Sequence, residues 1–188
     1  MRTLEALVGS ELRRPAMQGI VEVARRLNRK LRGDAVLFYG SALSTGDLDG
    51  VLDFYVLQDR PRRGLMADFL WPHVSYHEFP VAGRTLRAKV ATMPLAIFEA
   101  AARGGRMDTT IWARFAQPSR LLVSRSPAIA ARVVGAVCDC LRTATRGAVA
   151  LGPASGTPGD YWRALFQQTY GAEFRVEQQA RADIILDR

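Results

Sequence analysis

Ala16, Ile20, Val23, Ala24, Leu27 and Leu31 recur at helical spacing, with Arg25, Arg26, Arg29 and Lys30 between them, and Gly33 supplies a stop signal. The pattern predicts an amphipathic helix. Ala35 to Tyr39 is an apolar run too short for a helix and ends at Gly40-Ser41, while Val51 to Leu57 is a second run rich in sheet-favouring residues. Two strands therefore flank a polar, glycine-containing loop. Val74 to Val81 and Thr85 to Met93 read as a hairpin that turns at Ala82-Gly83. From Pro94, which suits a first helical position, the segments Leu95 to Ala102, Thr109 to Phe115 and Pro127 to Thr145 predict helices. Gly147 to Gly159 is the one Gly/Pro/Ser-rich stretch and reads as a flexible loop. Asp160 then caps a last helical region bearing Tyr161, Trp162, Leu165, Phe166, Tyr170 and Phe174.

The predicted class is α+β, with an α/β core over 1–93 and a mostly helical C-terminal domain over 94–188 that carries the 147–159 loop. No internal repeat interrupts this plan. At 188 residues the chain is one domain, or a domain with a small appendix. Its 48% hydrophobic and 23% charged composition excludes disorder, and no apolar run approaches the roughly 18 residues of a membrane-spanning helix. Cys138 and Cys140 stand two apart in a helical stretch and so point to different faces, which makes them packing residues rather than a disulfide or a chelating pair. A reducing compartment follows as the default. The N-terminal residues contain no continuous apolar core of a secretion signal, and Glu22 with the regular apolar stripe favours a structural helix over a transit peptide.

Charge adds a direction without a partner. Twenty-six basic residues oppose eighteen acidic ones, a net +8, and only Lys30 and Lys89 are lysines. The arginine fork suits phosphate, although a GC-rich gene produces the same bias. Nucleotide, nucleic acid and anionic lipid all remain open on charge alone.

The informative chemistry lies between Leu37 and Leu57. A strand that ends in Gly-Ser, a loop, and a strand with an embedded carboxylate together match what metal-dependent nucleotidyl transfer requires. Gly40 lets backbone approach a triphosphate, and Ser41 offers a hydroxyl and an amide. Asp53, flanked by Leu52 and Phe54, is the expected Mg²⁺ ligand, since this cation is held by one or two carboxylates together with substrate phosphates. A turn after a strand and a hydrogen-bonded edge aspartate would explain the same residues without chemistry.

Phe38-Tyr-Gly-Ser-Ala42 followed by Leu52-Asp-Phe-Tyr-Val56 resembles the signature of DNA polymerase β-like nucleotidyltransferases, and more narrowly the mitochondrial-type phosphatidate cytidylyltransferase family. Val74-Ser-Tyr76 and Gly83-Arg-Thr-Leu-Arg-Ala-Lys89-Val resemble that family's next two elements. Ala113-Arg-Phe-Ala-Gln-Pro118 and Gln168-Thr-Tyr-Gly-Ala-Glu-Phe-Arg-Val176 resemble two later ones, in the same order. The resemblance implies a polymerase β-like nucleotidyltransferase sheet in the first domain. It also implies an enzyme that joins CTP to phosphatidate with Mg²⁺, giving CDP-diacylglycerol and pyrophosphate on an anionic membrane surface. The implied location is cytoplasmic and peripheral on the inner membrane face, or the matrix side in a mitochondrion. No nucleic-acid partner is implied, and homo-oligomerisation stays open.

By the same resemblance Lys89 is the leading phosphate ligand and catalytic cation, with Arg114 and Arg175 as further phosphate-binding candidates. The acidic strand departs from the superfamily pattern, because Tyr55 stands where a second carboxylate is usual. Asp49 is the chosen substitute, as catalytic residue and metal ligand, with Asp47 and Glu78 as alternatives; in a Gly-flanked loop, turn chemistry explains Asp47 and Asp49 equally well. His73 and His77, four apart on a strand, share a face about 13 Å apart and make no metal pair. Competing readings are another nucleotide acceptor, or a non-catalytic basic nucleic-acid module. The module would need exposed aromatics among its basic residues, whereas these aromatics fall mostly within apolar runs.

Overall fold

The computed structural model describes residues 3–59, 72–105 and 110–171. In chain order the elements are α1 (Leu4–Leu12), α2 (Gln18–Leu31), β1 (Ala35–Tyr39), α3 (Ala42–Thr45), β2 (Val51–Gln58), β3 (His73–Val81), β4 (Arg84–Pro94), α4 (Leu95–Ala102), α5 (Thr110–Phe115), β5 (Ser119–Ser124), α6 (Pro127–Leu151) and α7 (Pro158–Gly171). The chain is α+β, built on a mixed five-stranded sheet in the order β3-β4-β2-β1-β5. β2 and β4 run parallel, while β1–β2, β1–β5 and β3–β4 are antiparallel.

Alternation along the strands sorts the core into two layers. Val36, Phe38, Phe54, Val56 and Val90 face α2, which buries Ile20, Val23, Ala24 and Leu27 against them. Leu37, Tyr55, Leu57, Ala91 and Met93 face the other way, onto Phe98, Phe115, Val133 and Leu165 of the later helices. Covered on both sides, β1 is buried throughout except at Tyr39, as expected of a continuous apolar run.

Local chemistry closes these elements. Arg32, rather than Gly33, takes the left-handed conformation (φ 52°) that ends α2, and the Gly33 N–H donates to Asn28 O at 2.9 Å. Gly33 is required by space: a Cβ there would meet Asn28 Oδ1 and Val56 Cγ1 at 2.6 Å. The β3–β4 hairpin turns through Ala82 (φ 49°) and Gly83 (φ 78°), the two positive φ values of a type I′ turn.

Several elements depart from expectation. α1 is a helix whose Leu4, Val8 and Leu12 follow helical spacing, with the Thr3 hydroxyl accepting from Ala6 N–H at 3.2 Å. The expected loop after Gly40-Ser41 contains the single helical turn α3. β5 pairs with β1, so the sheet draws on both sides of the expected boundary at residue 94. α6 continues to Leu151, so the first residues of the 147–159 stretch are helical. α7 starts at Pro158, and Asp160 lies inside its first turn, where its carboxylate accepts from the Thr157 N–H and hydroxyl, each at 2.8 Å. Of the α7 aromatics, Phe166 is buried and stacks with Trp162 at 5.8 Å, and half-buried Tyr161 and Trp162 pack against the core that contains Leu165; the Tyr170 side chain and Phe174 lie outside the described residues. Cys138 and Cys140 are free and buried, and burial pushes both thiols above their usual range.

Candidate functional site

Register defines the site. Tyr39, the last residue of β1, pairs with Asp53 on β2; Asp53 pairs with Lys89 on β4; and Lys89 pairs with Tyr76 on β3. Partners in a ladder project to the same side of a sheet, and here that is the side of the later helices, because Asp53 alternates with Tyr55 and Leu57. The row Tyr39, Asp53, Lys89, Tyr76 therefore crosses one face near the end of the sheet from which the Gly40-Ser41 loop emerges.

Gly40 sits directly against the Asp53 carboxylate. Its φ is 105°, a conformation that side-chain-bearing residues rarely adopt, and a Cβ on it would come 3.4 Å from Asp53 Oδ2. Beyond it, the Ser41 carbonyl organises the turn by accepting from Ser44 N–H (2.9 Å), Thr45 N–H (3.0 Å), Ser44 Oγ (2.8 Å) and Thr45 Oγ1 (3.1 Å). Ser41 itself is exposed, and its hydroxyl makes no hydrogen bond among the described residues.

Cations stand on both sides of Asp53. Lys89 is half-buried on the neighbouring strand, and no ion pair among the described residues involves it. On the other side, α5 carries Arg114 over the Tyr39 ring, 6.0 Å from its centroid. Tyr39 is held by Tyr55 (5.7 Å) and Phe115 (5.5 Å), both buried. Asp53 in register between Lys89 and the Tyr39 that Arg114 covers, at the strand end beside the Gly40 turn, is an arrangement suited to a cation–polyphosphate complex.

The other acidic candidates do not join Asp53. Asp49 is 83% exposed and its carboxylate is engaged by Arg84 at the β3–β4 turn, while its N–H donates to Asp47 Oδ1 at 2.8 Å. Asp47 thus performs turn chemistry. Glu78 is exposed and pairs in register with Arg87, one ladder row and two strands from Asp53; standard spacings put their Cα atoms about 12 Å apart. The expected metal set of Asp53, Asp49 and Glu78 is therefore not assembled, and no group of three or more His, Cys, Asp or Glu among the described residues is placed to hold a metal ion. Asp53 alone, beside a phosphate-accessible backbone, fits Mg²⁺ that is shared with a nucleotide. Arg175 lies outside the described residues.

His73 and His77 face α2, on the opposite side of the sheet from Asp53. His77 Nδ1 lies 3.1 Å from Lys30 Nζ and Nε2 lies 2.9 Å from Ser75 Oγ. Burial, then the Lys30 charge, holds the imidazole below its ordinary pKa. Two residues were not singled out in the sequence: Tyr39 as the floor under Arg114, and Arg87 as a second cation on the Lys89 face. Strand alternation signals Arg87, but nothing in the sequence signals the pairing of Tyr39 with a helix seventy-five residues later.

Compared with known proteins, the chain matches no family model and no curated protein. Among the described residues, no helix is long and apolar enough to cross a membrane.

Proposed function

We propose that the chain is a Mg²⁺-dependent nucleotidyltransferase of polymerase β-like fold that transfers CMP from CTP to phosphatidate, releasing pyrophosphate, at an anionic membrane surface. The observation that carries this reading is the placement of Asp53 beside the positive-φ turn at Gly40, with Lys89 in register on the neighbouring strand. CTP and phosphatidate enter through the sequence resemblance alone.

Mg²⁺ supplies neutralisation of phosphate charge when bound, and Asp53 is the residue to hold it with the nucleotide. The backbone at Gly40 admits the triphosphate, and the Ser41 hydroxyl donates to a phosphate oxygen. Lys89 and Arg114 draw developing negative charge toward themselves. The acceptor phosphate, with a second pKa of about 6, is mostly dianionic at neutral pH and needs no general base. One of its oxygens forms a bond to the α-phosphorus as the α–β bridging bond breaks, and pyrophosphate leaves with the bonding pair. Both histidines lie on the far side of the sheet, in keeping with chemistry that abstracts no proton.

The test is product analysis with purified protein, Mg²⁺, each of the four NTPs and phosphatidate in mixed micelles. CDP-diacylglycerol in the lipid extract from CTP alone is the expected result. Pyrophosphate release with another NTP, or without a lipid product, assigns a different acceptor and overturns the phosphatidate reading.

A further inference from the structure

The sheet ends in two edge strands that differ in their surroundings. Along β5, Arg120 ties the strand to α1 through the Glu11 carboxylate (2.7 Å) and carbonyl (3.3 Å). Along β3, no described backbone group pairs with the outer side of the strand. The hairpin decides which groups face that way. Its two-residue turn makes Val81 and Arg84 a doubly hydrogen-bonded pair. Counting back in twos, Phe79, His77, Ser75 and His73 bond to β4, while Val74, Tyr76 and Glu78 direct their N–H and C=O away from the sheet. Pro80 has the same parity, and in keeping with it the Pro80 carbonyl accepts from Arg26 Nη1 at 3.0 Å.

Natural edges carry lysine, proline or a bulge against unwanted pairing. Between Pro72 and Pro80, β3 has no lysine, and its pairing with β4 runs without a register shift. Its outer side chains favour contact, since Tyr76 is 70% and Val74 47% exposed. The segment is also symmetric about Tyr76. The outward-facing residues are Tyr76 and those two before and two after it, and the prolines, which have no N–H to give, stand four before and four after. Antiparallel pairing of two copies with Tyr76 opposite its counterpart sets Val74 opposite Glu78 on both sides, so every outward N–H and C=O of the three residues is satisfied. A slip of two residues either way sets a proline opposite Glu78 or Val74 and leaves a carbonyl unpaired in each copy. In the symmetric register no like charges meet, because Glu78 faces Val74 and the two Glu78 residues lie about 14 Å apart.

We propose that β3 is a homodimer interface, at which two copies of the chain pair antiparallel about a two-fold axis at Tyr76 and join their five-stranded sheets into one. The axis is perpendicular to the sheet, so both rows containing Asp53 and Lys89 stay on one face, with the two Asp53 residues about 24 Å apart across five strand spacings. The pairing uses the same edge in each copy and therefore closes as a dimer rather than propagating. A foreign strand can meet the same backbone groups, but a second copy also repeats the placement of the two prolines. The pairing is independent of the reaction performed at Asp53.

Sedimentation velocity of the full chain from about 1 to about 100 µM tests this, because a dimer's share rises with concentration. The expected series runs from the 20.7 kDa monomer toward a species of twice that mass. A chain that stays monomeric throughout, or that grows past the dimer, overturns the proposal. Tyr76→Lys sets like charges opposite each other at the axis and should weaken dimerisation about tenfold. Leu7→Lys adds the same charge at an exposed apolar position of α1 and should change it less than about twofold. Equal effects of the two substitutions would remove the edge from the interface. Each copy carries a net +8, so added salt should tighten the dimer by screening repulsion; loosening by salt would mark an ionic interface and contradict the pairing. Cysteine cross-linking reads the register. Tyr76→Cys brings two thiols within disulfide range, on Cα atoms about 5.5 Å apart, and should give a covalent dimer on mild oxidation. Glu78→Cys should not, and cross-linking of Glu78→Cys in preference to Tyr76→Cys would exclude the two-fold at Tyr76. Both substituted positions are exposed, and the native Cys138 and Cys140 are buried, so neither folding nor the native thiols confuse the comparison.

Discussion

Gly40 is required by its φ of 105°, which other residue types adopt only with strain; an added methyl would lie 3.4 Å from the Asp53 carboxylate, an ordinary contact. Gly40→Ala should cost about 1–2 kcal/mol of stability from backbone strain and weaken Mg²⁺-CTP binding, read together as a lower thermal midpoint and a smaller nucleotide-induced shift. Ser41→Ala should reduce that shift while leaving the midpoint of the free protein unchanged, because the Ser41 carbonyl, not its hydroxyl, organises the turn. On the opposite face, His77 has a folded-state pKa below 6.5, so as pH falls the unfolded chain takes up the proton first. Stability is therefore complete above pH 6.5 and is lost as pH falls through the window below it. Urea midpoints measured across that window should decline less in His77→Gln than in wild type. Much of this residue-level picture was legible from short-range pattern: alternation put Asp53 and Lys89 on strands, and Gly-Ser marked the loop between them. The engagement of Asp49 by Arg84 was not legible, because that partner lies 35 residues away and loop acidity carries no information about it.

At the scale of elements, the site's floor is an aromatic cluster shared between strand and helix. Phe115 of α5 contacts Tyr39 at 5.5 Å, Tyr55 at 5.2 Å and Phe98 at 5.1 Å. Phe115→Ala should cost about 3–5 kcal/mol, a fall in thermal midpoint on the order of 10 °C for a chain of this size. It should also release Tyr39 and so weaken nucleotide binding beyond the stability loss, as measured by titration well below the variant's midpoint. The long apolar periods that fix α2, α4, α6 and the β3–β4 hairpin were visible in the sequence because burial on one face leaves a regular trace. β5 was not visible: Ser119-Arg-Leu-Leu-Val-Ser124 offers three apolar residues, and what makes it a strand is the free edge of β1, a tertiary fact. α3 is one turn long, too short for periodicity to register.

The whole molecule is tied together across the expected boundary at residue 94. β5 completes the sheet, and at the end of the sheet away from Gly40 the buried Asp34 carboxylate accepts from Asp59 N–H (2.7 Å) and from Arg125 Nε (2.6 Å), while Arg132 joins Asp59 to Glu99. A first domain and a second domain that share a sheet and an ion network should unfold together. Scanning calorimetry should give one transition whose calorimetric and van't Hoff enthalpies agree; two resolved transitions would show that 1–93 and 94–188 fold as separate units. The same shared architecture brings Arg114 from the helical part to Tyr39 and Asp53 from the sheet, so the site exists only in the assembled fold. The role proposed for the Asp53 carboxylate in that site is to support Mg²⁺-dependent nucleotidyl transfer. The most direct measurement is pyrophosphate release from Mg²⁺-CTP and phosphatidate by wild type and by Asp53→Asn, with thermal midpoints taken on both proteins. Loss of at least about a hundredfold in rate, with the midpoint retained, is the predicted result; Asp53→Asn protein that releases pyrophosphate at the wild-type rate would contradict the site assignment.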